Sequence, residues 1–71
     1  MAQKRSNIIP KAATARILMN AGAKRVSADA ADAFAELLEQ KAEEIGTKAV
    51  QISRHSGRKT VHDTDIKLAV K

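Results

Sequence analysis

The sequence predicts an all-α protein of three helices, short, long and short, and three observations predict it. Apolar residues recur at helical spacing from about residue 28 to residue 55 without a proline. Glycines stand near both ends of that pattern, at Gly22 and Gly57, where helices commonly stop. A segment of about ten residues with weaker helical character flanks it on each side.

Residues 1–9 lack periodicity and are expected to form a flexible basic N-terminal tail, leaving 10–71 as one domain. Helix 1 is expected near 11–20, since Pro10 is tolerated in a first helical turn and nothing interrupts the run to Asn20. Gly22 is its natural stop. Ser27 suits the N-cap of helix 2, with Asp29 and Asp32 close to that helix's positive end. Within helix 2, Phe34, Leu37, Leu38, Ala42, Ile45, Ala49 and Ile52 step by three and four to make one apolar stripe. Gly46 interrupts it at a cost of roughly 1 kcal/mol relative to alanine, which fits either a close helix crossing or no particular role. After Gly57, DTDIKLAVK offers a third helix near 63–70 whose apolar residues are Ile66, Leu68, Ala69 and Val70.

A chain of 71 residues ordinarily needs a disulfide, a metal or a second copy to complete its core. There is no cysteine, and His55 and His62 are the only histidines, so no cofactor or metal is expected. Much of the 44% hydrophobic content is alanine, and Phe34 is the single aromatic. Two helices of about ten residues cannot cover a stripe roughly twice their length, so an obligate homodimer is expected.

Net charge is +5 and the isoelectric point about 10.0, a balance that suits a polyanionic partner. Residues 1–27 carry Lys4, Arg5, Lys11, Arg16, Lys24 and Arg25 with no acid, whereas the long helix is acidic overall. Its Glu36, Glu39 and Glu43, and its Glu44 with Lys48, fall at spacings of a solvated helix face. The remaining basic charge lies in AGAKRVS at 21–27 and GRKTVH at 57–62. A helix over 28–55 would be roughly 40 Å long and would hold these loops apart. Antiparallel crossing of two such helices would instead set the first loop of one chain beside the second loop of its partner. RVS and KTV could then pair as short strands, giving a basic surface made by both chains.

No apolar run reaches the roughly 18 residues of a membrane span, and no hydrophobic stretch follows MAQKRSN, so a soluble intracellular protein is expected. No nucleophile with a base, carboxylate pair or metal set points to an enzyme or a small-molecule substrate.

The stretch ARILMNAGAKRVSADAADAFAELLE followed by RHSGRKTVHDTDIKLAV closely resembles the archaeal histones in wording and spacing. The resemblance runs from about Ile9 to Lys71, and AGAxRVS with RHxGRKTV are its specific signatures. It implies the histone fold, a head-to-tail handshake homodimer that wraps double-stranded DNA around its outside. It further implies nucleosome-like or extended superhelical filaments on the chromosome in the cytoplasm, with paralogous histones as further partners. The alternative is a histone-fold transcriptional regulator. That reading needs side chains presented to major-groove base edges, and no helix shows a polar, non-acidic face for it.

By the same resemblance Arg16 is the arginine of helix 1 inserted in the minor groove, and Arg25, Lys59 and Thr60 are loop contacts to phosphate, with Lys24 and Ser27 as lesser candidates. Arg58 pairs with Asp65 as a structural salt bridge and is favoured as a brace over a DNA contact. Ile52, His55, Asp65 and Leu68 join one dimer to the next, and a bond from His55 to the neighbour's Asp65 would weaken if His55 lost its charge. Gly22 lets dimers stack closely, besides ending helix 1. Three positions depart from the family pattern: Met19 stands where a polar or basic residue is usual, Lys24 where an acid is frequent and His62 where lysine is common.

Overall fold

A computed structural model describes residues 8–71; the tail expected over 1–9 lies outside the described residues except for Ile8 and Ile9. Pro10, at φ −66° and ψ 141°, is the extended residue from which α1 (Lys11–Asn20) starts. It is followed by α2 (Ala28–His55) and α3 (Asp63–Ala69). All three lie where the sequence pattern puts them, except that Val70 is the C-cap of α3 and not its last helical residue. Among the described residues there is no strand. The pairing expected of RVS with KTV takes one segment from each of two chains, so a single chain has nothing to pair.

Both helix ends that carry glycine close by the same device. At α1, Ala23 N–H donates to the Leu18 carbonyl and Gly22 N–H to Met19, both at 3.0 Å. At α2, Arg58 N–H donates to Ser53 at 3.0 Å and Gly57 N–H to Arg54 at 2.9 Å. This paired six-to-one and five-to-two closure needs a residue of positive φ between the two donors, and Gly22 (φ 121°) and Gly57 (φ 74°) supply it.

The chain clusters into two compact units, one through Glu39 and one from Gln40, with α2 contributing to both. In the first, Ala31, Ala35 and Glu39 form a buried row at i, i+4 spacing on α2. Thr14 of α1 is fully buried, and its Oγ1 lies 2.8 Å from the Lys11 carbonyl and 3.0 Å from that of Ala31, so the hydroxyl joins α1 to the row. The Ile9 N–H donates to Glu39 Oε2 at 2.9 Å, which fastens the entry to α1. Lys11 and Asp32 approach to 3.7 Å, but both are half exposed and such a pair contributes little. In the second unit the buried residues are Ala49 and Ser53 on α2 and Asp65 and Ala69 on α3, again four apart in each helix.

The apolar core of the described chain is thus four alanines, Ala31, Ala35, Ala49 and Ala69. Of the stripe expected on α2 only Ala49 is buried; Phe34, Leu38, Ile45 and Ile52 are half-buried and Leu37 is exposed. The reason is angular. Ala35 is buried, and Phe34 lies about 100° around the helix from it, so small residues face the short helices and large ones flank them. Among the described residues a Cβ added at Gly46 would meet nothing within 4 Å, so no close crossing occurs there among them. Among the described residues no helix is long and apolar enough to cross a membrane.

Candidate nucleic-acid interface

The loop between α2 and α3 is built around one buried carboxylate. Asp65 is only 1% exposed, and its oxygens receive Arg58 Nη1 and Nη2, each at 2.9 Å, in a two-pronged ion pair. The His62 N–H donates to the same carboxylate at 2.8 Å, so Asp65 also satisfies the start of its own helix. The Arg58 hydrogen bonds, then the His62 N–H, hold the Asp65 carboxyl down to about 2 from an ordinary 3.8. Arg58 is raised in turn, chiefly by its hydrogen bond to Asp65.

Arg58 Nη1 reaches the Thr60 carbonyl as well, at 3.2 Å. That guanidinium thus makes three hydrogen bonds within the chain, to Thr60 and Asp65. Lys59 and Thr60, between and beside these anchors, are exposed. Ser53, buried on α2, lies 3.2 Å from the Arg58 carbonyl and 3.0 Å from that of Thr60 through its hydroxyl.

In the first unit Arg16 stands exposed on α1, with Lys24 and Arg25 exposed on the loop 21–27. Among the described residues none of Arg16, Lys24, Arg25 and Lys59 is held in an ion pair. Ser27 Oγ accepts the Ala30 N–H at 3.0 Å, which makes it the cap of α2 and leaves its own O–H to donate outward. Gly22 is exposed and has open space where a Cβ would stand, so within the chain its positive φ accounts for the glycine.

Ile52, His55 and Leu68, three of the four residues that the resemblance gives to contacts between dimers, line one open groove together with Lys48 and Lys71. Asp65 does not line that groove. Three acceptor positions of its carboxylate are taken within the chain, leaving one on Oδ1.

Glu39, expected on a solvated helix face, is instead buried, because it turns inward to accept the Ile9 N–H. Two polar residues escaped the sequence reading: Thr14, which joins α1 to α2, and Ser53, which holds the loop after α2, each from a buried place on a helix. For Ser53 a signal was present, since it stands four residues after Ala49 in a row of small side chains.

Residues 7–70 match the family model described as histone-like transcription factor (CBF/NF-Y) and archaeal histone. Among curated proteins, a subunit of the archaeal histone HAN1 of Thermococcus zilligii is 54% identical over 63 residues, covering 89% of this chain and 94% of the relative. A probable archaeal histone 3 of Methanocaldococcus jannaschii is 48% identical with the same coverage.

Proposed function

The chain belongs to the family of histone-like transcription factors and archaeal histones, and from that membership we propose that it binds, wraps and compacts double-stranded DNA without reading its sequence. The observation that carries this reading is that, among the described residues, Arg16, Lys24 and Arg25 in the first unit and Lys59 in the second are exposed and outside any ion pair, whereas Arg58 is tied up internally. A free guanidinium or ammonium on a loop or short helix is available to phosphate, and Thr60 and Ser27 can add hydroxyl donors. Arg16 is the residue for the inward-facing minor groove, where a histone octamer likewise uses arginine without base-specific contacts.

The binding unit is a handshake homodimer, since a core of four alanines leaves the large apolar side chains of the described chain exposed or only half-buried. Dimers join through Ile52, His55 and Leu68, with Asp65 offering one remaining acceptor to the neighbour's His55, and stack where Gly22 leaves space. Filaments of this kind would place the protein on the chromosome, alone or mixed with paralogous histones.

Nuclease digestion of a saturated duplex tests the wrapping. Protected fragments should grow in steps of about 30 base pairs, close to three helical turns per added dimer, and affinity should fall steeply with salt. The family description also names transcription factors, and a footprint at one fixed site with weak salt dependence would favour the regulator. Leu68 is 55% exposed in the groove. Placing a charge there, as in Leu68→Asp, should leave dimers intact but shorten the ladder to its first step; an unchanged ladder would remove Leu68 from the contact between dimers.

A further inference from the structure

We propose that Ser53 is a positioning residue for the DNA contact made by Lys59, an inference that rests on the DNA-binding reading above. Ser53 is 2% exposed in the last turns of α2, and its hydroxyl is within hydrogen-bond distance of the carbonyls of Arg58 and Thr60, at 3.2 and 3.0 Å. Those two carbonyls bracket Lys59. The Ser53 carbonyl also accepts the Arg58 N–H at 3.0 Å and the Ser56 N–H at 3.1 Å. One residue thus holds the loop through its side chain and its backbone together, on both sides of the exposed lysine.

The Arg58 and Asp65 pair cannot do this alone. Arg58 Nη1 supports the Thr60 carbonyl, whereas among the described residues the Arg58 carbonyl has Ser53 Oγ as its side-chain donor. A single hydroxyl proton shared between the two carbonyls holds the peptide plane before Lys59 and the one after Thr60. A lysine on a backbone already ordered in this way loses less freedom on meeting phosphate, and that saving appears as affinity.

Ser53→Ala removes the hydroxyl, leaves a better helix former and keeps the backbone bonds and the Arg58 anchor on Thr60. The variant should fold and dimerise as the parent does, checked by thermal unfolding and sedimentation. Its affinity for a mixed-sequence duplex should fall roughly three- to tenfold, the range of one hydrogen bond's net contribution. The slope of log affinity against log salt should flatten by roughly 0.9 for each phosphate that is no longer neutralised. In a Lys59→Gln background the same serine substitution should have a much smaller further effect, because the lysine that it positions is gone. An unchanged affinity and slope, or an equal loss in the Lys59→Gln background, overturns the proposal and leaves Ser53 a residue of the fold alone. Absence of salt-dependent binding by the parent protein overturns the underlying DNA-binding function itself.

Discussion

Leu37→Ala should destabilise the protein by about 2–5 kcal/mol per chain, the cost of truncating a leucine in a packed core. In the lone chain this side chain is 62% exposed, and an exposed truncation should change stability by no more than about 0.5 kcal/mol. The two values differ enough to decide whether a second copy covers it. The parent's unfolding midpoint should also rise with protein concentration, as it must when folding and association are one equilibrium. Chemical denaturation at two concentrations measures both quantities, and a small loss with a concentration-independent midpoint would refute the obligate dimer.

Arg58→Ala should lower stability more than any substitution of an exposed base in the same loop, since it strands a carboxylate that is 1% exposed. Lys59→Ala is the matched control, expected to lie within about 0.5 kcal/mol of the parent. Arg58→Lys should fall between, because an ammonium keeps the charge but cannot reproduce the two-pronged geometry. The pair also sets a pH window. Asp65 sits at about 2 in the folded chain against an ordinary 3.8, so its contribution is full above about pH 4 and is lost as pH falls toward 2. Urea unfolding of the parent and of Asp65→Asn should therefore diverge most at neutral pH and converge near pH 2. A gap of equal size at both ends would mean that the ionised carboxylate is not what stabilises the loop.

The elements were legible because their signals are local. Gly22 and Gly57 mark two helix ends through a backbone angle that other residues avoid, and Ser27 marks a start through a hydroxyl that reaches the Ala30 N–H. The exposed cations were legible for a related reason, since charge in an acid-free stretch is counted without knowing the fold. The stripe on α2 was legible as helical but not as covered. Periodicity identifies an apolar face, and Phe34, Leu37 and Ile45 have the same period whether a helix of their own chain or of another lies on them.

The Arg58 and Asp65 pair came from family resemblance, as spacing alone does not join a loop residue to one seven positions on. The partners of Thr14, Glu39 and Ser53 were invisible for a different reason, and spacing placed Glu39 on a solvated face when it is buried. A buried hydroxyl or carboxylate is tolerated only beside a partner, and their partners are backbone groups 17, 30 and 7 residues away. No periodicity of side chains reports on distant carbonyls and amides.

The sequence by itself determined three helices, their ends, the basic character of both loops and the family, because each depends on neighbouring residues or on composition. Only the tertiary structure decided that the Arg58 guanidinium reaches the Thr60 carbonyl as well as Asp65, that Glu39 is buried against the Ile9 N–H, and that a buried serine holds the backbone around Lys59. Those outcomes depend on which groups meet across a turn of chain, and a hydrogen bond or a two-pronged ion pair exists only once both partners have been brought within about 3 Å.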